Sequence, residues 1–181
     1  DATYIGYSMG ARLCLHAALQ HPKQVKALVL ISGTAGIEDP EQRLQRRTSD
    51  EKLADHIEQV GAEAFITEWL SRPMFSNLNS TPSDILDRNR NTAASLATSL
   101  RLAGTGAQQS LWGSLHLLDM PVLLIAGEQD EAFCNNAKRM KKLIGENATV
   151  AIVNNSGHSA HLEQLEDCAK IIMNWLEQQA N

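Results

Sequence analysis

A serine with glycines two residues away on either side, Gly6-Tyr7-Ser8-Met9-Gly10, can set a hydroxyl at the apex of a sharp strand-to-helix turn, where larger flanking side chains would collide. A hydroxyl is a weak nucleophile and a weak base, so such chemistry needs an imidazole beside it and an acid to orient the imidazole. Both types occur further along, in Gly127-Glu128-Gln129-Asp130 and in Gly157-His158. In this reading His158 takes the proton from Ser8, while Asp130 fixes the imidazole tautomer and stabilises the imidazolium. Glu128, nearer its strand, is the alternative acid, and His161, where the last helix begins, is the alternative base. Taken singly, Asp130 also suits a helix N-cap and His158 a turn. The backbone amide of Met9, at the positive end of the following helix, is the expected oxyanion donor.

These groups need elements that bring them together. Tyr4-Ile5 reads as the end of a strand and Ala11 to Leu19 as a helix, which His21-Pro22 terminates. Val25 to Ile31 is a continuous apolar run closed by Ser32-Gly33, Pro121 to Ala126 is a second closed by Gly127, and Thr149 to Val153 is a third closed by Asn154-Asn155-Ser156-Gly157. Such runs are the signature of parallel strands buried on both faces. Helical spacing over Asn135 to Ile144 and over Leu162 to Gln178, the latter with Leu165, Ala169, Ile172 and Leu176 on one face, completes a strand-helix alternation. Ser8, Asp130 and His158 then stand at the carboxyl ends of three strands, in the order serine, acid, histidine that marks the α/β-hydrolase fold. The region from Thr34 to Leu117 breaks the rhythm with helical stretches only: Glu41 to Arg47, Glu51 to Val60, Ala62 to Leu70, Ser83 to Leu102 and Ala107 to Leu118. The expected organisation is a core from residues 1–33 and 118–181 and a helical cap from 34–117, lying over the carboxyl edge of the sheet.

Composition narrows the functions. At 181 residues, 43% hydrophobic and 20% charged, the chain suits one globular core. Its longest apolar runs are too short for a bilayer, so no membrane partner is expected. A net charge of -5 argues against nucleic acid, whose binding needs a basic surface. Cys14, Cys134 and Cys168 are odd in number, lie in apolar or helical stretches and lack metal-ligand spacing. They read as buried thiols of a cytoplasmic protein, with no metal and no cofactor expected. Because the chain opens on Asp1, the amino-terminal strands and the loop bearing a second oxyanion donor are expected upstream of it.

Arginine distribution is the informative departure from a plain hydrolase pattern. Arg12 lies one turn after Ser8 on an otherwise apolar helix, and a guanidinium there needs an anion, either a carboxylate of the protein or one of a substrate. The cap region holds seven of the nine arginines but a single lysine, Lys52, and arginine's planar fork suits bidentate carboxylate binding. Most of these arginines also suit solvated faces with pairs such as Arg46 with Asp50 or Arg47 with Glu51.

Gly6 to Gly10 followed by Arg12, Ser32-Gly33 leading to Glu41-Gln42-Arg43-Leu44-Gln45-Arg46-Arg47 and Asp50, then Phe65, Trp69, Pro73, Phe75, Leu78 and Arg90-Asn91, resemble the 2-succinyl-6-hydroxy-2,4-cyclohexadiene-1-carboxylate synthases of menaquinone biosynthesis. The resemblance spans nearly the whole chain. It implies a lyase on a hydrolase fold that eliminates pyruvate from a trianionic cyclohexene, a small anionic substrate. It also implies that Ser8, Asp130 and His158 carry the reaction, that Arg12, Arg46 and Arg90 hold carboxylates, and that Tyr7 and Trp69 line the pocket. Phe75 would add an apolar wall or serve simply as cap core. On this reading Ser8 abstracts the proton α to the succinyl carbonyl, and no acyl-enzyme forms. Another capped α/β hydrolase, acting on esters or diketone carbon-carbon bonds, is the alternative, and a non-catalytic ligand-binding member of the fold is a lesser one.

Overall fold

A computed structural model describes residues 1–180, and the chain divides into two compact units, residues 1–35 with 111–181 and residues 36–110. The first carries a four-stranded parallel sheet in the order β1-β2-β3-β4, from β1 (Ala2–Tyr7), β2 (Val25–Ile31), β3 (Val122–Gly127) and β4 (Ala148–Val153). Register pairs Gly6 with Leu30, Leu30 with Leu124 and Leu124 with Val150, so the carboxyl ends of all four strands lie along one edge.

The unbroken apolar runs are explained by burial on both faces. Leu28, Leu30, Val122 and Leu124 pack with Ala11, Leu15 and Ala18 of helix α1 (Met9–Gln20) and with Met140 and Ile144 of a second helix, Glu131–Ile144. Their neighbours in sequence, Val29, Ile31, Leu123 and Ile125, face the other way, toward Cys168 and Trp175 of the terminal helix, Leu165–Ala180. Alternation of side chains across the pleat thus puts every second residue in a different core. Each fully buried Leu, Ile or Val contributes about 1.5–3 kcal/mol relative to exposure.

The second unit is helical: α2 (Pro40–Val60), α3 (Ala62–Leu70), α4 (Pro82–Arg88) and α5 (Ala93–Ala103), around Ala54, Ile57, Phe65, Ile66 and Ala97. In chain order the helix after β3 is then α6 (Glu131–Ile144), a short turn of helix is α7 (Ala160–Glu163) and the terminal helix is α8 (Leu165–Ala180). Asp39 caps α2 by accepting from the Gln42 amide at 2.8 Å, with Pro40 at the first helical position, where its missing N–H costs nothing. Arg101 of α5 donates to Glu51, Asp55 and Glu58 of α2, tying the two helices together.

Several boundaries differ from the pattern-based expectation, each for a local reason. Helix α2 runs unbroken through Thr48 and Ser49, whose hydroxyls bond back to the carbonyls of Leu44 and Gln45 at 3.1 and 3.0 Å and so stay inside the helix. The single helix expected over Ser83 to Leu102 is two, because Thr92 forms a capping box with Ser95 and starts α5 afresh. No α-helix covers Ala107 to Leu118; Trp112–Leu117 is a 3-10 segment, and Trp112 and Leu115 are buried in the sheet-bearing unit. The division therefore falls between 110 and 111 rather than at 117. The terminal helix is interrupted at Gln164, and its buried face is Cys168 and Trp175 with Ile171, Ile172 and Leu176, not Leu165, which is 66% exposed, or Ala169.

Candidate active site

Ser8 follows β1 directly and precedes α1, with φ 50° and ψ −107°, a left-handed backbone that a residue with a Cβ adopts only under constraint. Its amide donates to the Ile31 carbonyl at 2.9 Å, which fixes the turn to the end of β2. Gly6 is required by close approach: a Cβ there would lie 2.5 Å from the carbonyl carbon and oxygen of Gly10. Gly10 is not its mirror image, since a Cβ at Gly10 meets nothing within 4 Å; the expected need for glycine on both sides holds on one. Met9 is the first residue of α1, so its amide has no partner in the helix ladder and points out of the positive end of the dipole.

Asp130 does both things its position allowed. One oxygen caps α6, accepting from the Phe133 amide at 3.4 Å, and the other lies 2.7 Å from Nδ1 of His158. The loop that carries it is laced to the histidine loop: the amide of Glu128 donates to Val153 and that of Gln129 to Ser156, each at 2.9 Å. Gly127 lies so close to this loop that a Cβ would fall on the carbonyl oxygens of Ser156 and Gly157. Glu128, the alternative acid, instead accepts from the amide of Asn155 at 3.1 Å.

His158 is 3% exposed, with Nε2 3.1 Å from Oγ of Ser8. With a carboxylate on Nδ1, that nitrogen carries the proton and donates, leaving Nε2 to accept from the serine hydroxyl. Phe133 meets the imidazole edge-on at 4.6 Å between ring centres, and Tyr7 lies at 5.4 Å with its hydroxyl 2.8 Å from Oγ of Ser159. The backbone around His158 is held from several directions. Glu163 accepts from the amides of Gly157 at 2.6 Å and Ser159 at 2.9 Å, and the hydroxyl of Ser32 donates to the His158 carbonyl at 2.7 Å. His161, the alternative base, lies 4.4 Å from Tyr7 between ring centres, with the rings tilted at 47°; burial, then the neighbouring His158, pushes its pKa below the ordinary histidine value, against an opposing pull from Glu163. It is His158 that accepts from the Ser8 hydroxyl.

Arg12 is 8% exposed, and its amide donates to the Ser8 carbonyl at 3.2 Å in the first bonded turn of α1. Burial, and then the Arg12 guanidinium, holds the His16 pKa below its ordinary value. In the helical unit, Arg46 pairs with Asp50 at 2.8 Å, the bland pairing its spacing allowed, and Asp50 is itself 5% exposed. Arg90 is exposed and pairs with Asp87 at 3.3 Å. Trp69 sits between Phe65 and Phe75, at 5.6 and 6.1 Å, with the Arg72 guanidinium 4.1 Å over its ring. Ser8, Met9, Tyr7, Arg12, Asp130 and His158 thus belong to the sheet-bearing unit, and Arg46, Trp69 and Arg90 to the helical one.

Three residues around the histidine are not singled out by the sequence: Phe133, Ser159 and Glu163. Ser32 is, as the stop after a strand and as part of the resemblance, but without a role at the histidine. Among the described residues no three His, Cys, Asp or Glu side chains cluster to hold a metal, and no helix is long and apolar enough to cross a membrane.

Comparison with known proteins agrees with this fold. The alpha/beta hydrolase fold family matches residues 1–165. A Bacillus subtilis (strain 168) protein named provisionally as a 2-succinyl-6-hydroxy-2,4-cyclohexadiene-1-carboxylate synthase is 41% identical over 95% of this chain and 64% of its own length. The synthase of that name from Klebsiella pneumoniae subsp. pneumoniae is 31% identical over 87% of this chain and 61% of its own. The chain therefore spans less than two thirds of these relatives. The solved structure of MenH from S. aureus superposes with a TM-score of 0.93 at 31% identity, over 99% of this chain and 69% of that one.

Proposed function

The chain belongs to the alpha/beta hydrolase fold family, and within it we propose the elimination of pyruvate from 2-succinyl-5-enolpyruvyl-6-hydroxy-3-cyclohexene-1-carboxylate to give 2-succinyl-6-hydroxy-2,4-cyclohexadiene-1-carboxylate. The observation that carries the reading is the hydrogen-bonded series Ser8, His158, Asp130, at 3.1 and 2.7 Å, in a chain 41% identical to a protein named for that reaction.

His158 draws the hydroxyl proton of Ser8 to Nε2, and the oxygen removes the proton α to the succinyl carbonyl. Electrons pass from the broken C–H bond through the ring and expel the enolate of pyruvate, which takes up a proton as it ketonises to pyruvate while the imidazolium of His158 gives up its own. Asp130 stabilises the imidazolium while it lasts. Negative charge that builds on the succinyl oxygen is met by the Met9 amide at the positive end of α1. Arg12 supplies a buried cation one turn from Ser8 for one substrate carboxylate. Arg46 and Arg90 are the proposed holders of the other two, and Tyr7 and Trp69 are proposed to contact the substrate. A charge-assisted contact of this kind contributes about 1.5–3 kcal/mol, so truncating one arginine raises KM by about 10- to 150-fold.

The test is pyruvate release from the trianionic substrate, coupled to NADH oxidation by lactate dehydrogenase, with wild type against Ser8→Ala. Release that Ser8→Ala abolishes is the expected result. Turnover of synthetic esters with no pyruvate would replace the lyase by a capped esterase.

A further inference from the structure

One imidazole, that of His158, serves two partners at once, and this sets a demand on the backbone that carries it. Asp130 and Ser8 bond to opposite ring nitrogens of His158, at 2.7 and 3.1 Å. A shift of the His158 Cα along that line shortens one bond as it lengthens the other. The loop from Asn154 to Ser159 that holds His158 is neither strand nor helix, so its own backbone ladder does not fix that Cα.

Two peptide groups of this loop, Ser156–Gly157 and His158–Ser159, are instead fixed by two side chains from elsewhere. The Glu163 carboxylate spans His158, with one oxygen on the Gly157 amide and the other on the Ser159 amide, at 2.6 and 2.9 Å. Between them the His158 carbonyl accepts from Ser32, at 2.7 Å. Ser32 is 1% exposed and has φ 47°, a strained conformation for a residue with a side chain, where glycine would sit without strain. Its hydroxyl is therefore the reason for a serine at a position whose backbone favours glycine. Tyr7 completes the frame through the hydroxyl of Ser159, at 2.8 Å.

We propose that Glu163 and Ser32 are positioning residues: by clamping the Gly157 amide before His158 and the His158–Ser159 peptide group after it, they hold its imidazole in register between Ser8 and Asp130. Neither bonds to the imidazole, so their effect reaches the reaction only through the backbone of His158. The proposal rests on His158 acting as the base of the proposed function.

The experiment uses Glu163→Ala, Glu163→Gln and Ser32→Gly in the full protein, with three readouts. These are kcat and KM for pyruvate release, melting temperature, and the hydrogen-bonded Nδ1 proton of His158 by NMR on protein with nitrogen-labelled histidine. A misplacement approaching 1 Å costs roughly 100-fold, so Glu163→Ala should lower kcat by about 30- to 100-fold with KM changed less than about threefold. Glu163→Gln, which keeps one acceptor, should fall between it and wild type. Ser32→Gly removes the hydroxyl and relieves the strain, so kcat should fall by about tenfold while the melting temperature holds or rises. The His158 proton resonance should broaden or vanish in Glu163→Ala. Variants that melt lower but keep kcat and the proton resonance would show a purely structural role and overturn the clamp. If wild type releases no pyruvate, the functional reading fails separately, and the resonance still decides whether the clamp orders His158.

Discussion

Alanine at Gly6 and alanine at Gly10 should have opposite effects on stability, although both residues flank Ser8 symmetrically in the sequence. A Cβ at Gly6 would lie 2.5 Å from the carbonyl carbon and oxygen of Gly10 and 2.6 Å from the amide nitrogen of Ala11, where ordinary contact begins at 3.4 Å. All three atoms are backbone, so no side chain can turn aside, and the end of β1 must part from α1 by about 0.9 Å locally. Overpacking of this kind costs about 1–3 kcal/mol, which for a chain of this size lowers the melting temperature by about 2–12 °C. Gly10 sits inside α1 with open space where its Cβ would go. Alanine there reduces the freedom of the unfolded chain and favours the helix, a gain of about 0.4–1 kcal/mol or about 1–4 °C. Thermal and urea unfolding followed by circular dichroism, on the two variants beside wild type, measures both. Equal losses at the two positions, or a tolerated Gly6→Ala, would refute the close-approach argument and return the motif to simple symmetry.

Asp130 can be divided by substitution: Asn keeps the cap on α6 but cannot stabilise the imidazolium, while Ala loses both. Asp130→Asn should melt close to wild type and lose about 10³- to 10⁴-fold in kcat, whereas Asp130→Ala should also lose about 0.5–2 kcal/mol of stability; equal melting temperatures for the pair would deny the cap. His161 and His16 are held below the ordinary histidine pKa chiefly by burial, so the unfolded chain binds protons more readily than the folded one. Their contribution is therefore complete above the unfolded value of about 6.5 and shrinks as pH falls below it. Melting temperature should drop between about pH 7 and 5, with a shallower slope in His161→Asn, and an unchanged slope would remove His161 from the account. Burial pushes the thiols of Cys14, Cys134 and Cys168 above their usual range, so all three should react slowly with a thiol-titrating disulfide in the folded protein at neutral pH and rapidly once unfolded.

The core was legible because parallel strands covered on both faces leave continuous apolar runs, and Val25–Ile31 begins and ends where the sequence put it. Helix ends in the helical unit were less legible, because they depend on which polar side chain turns back onto the backbone. Thr48 and Ser49 look like breakers and are absorbed, while Thr92 looks similar and starts a new helix. The same residue types give both outcomes, and only the geometry of the neighbouring carbonyls and amides separates them.

The site divides along the same line. Ser8, Asp130 and His158 can be found because each follows a recognisable strand, so topology alone brings them to one edge of the sheet. Ser32 also follows a strand, at the end of β2, yet its residue type there gave no signal of a role at His158. A hydroxyl that bonds to a backbone carbonyl across 126 positions of sequence has no spacing rule to betray it. Its partner Glu163 is hidden in another way, as an ordinary acidic residue of a short helix whose carboxylate turns back to amides four and six residues earlier. Position along a strand therefore reveals the groups that would do chemistry, whereas the groups that aim them act on backbone atoms and leave the residue pattern unmarked. Ser32 is the exception that could have been caught with dihedral angles in hand, since a strained serine where glycine would be relaxed implies a use for the hydroxyl.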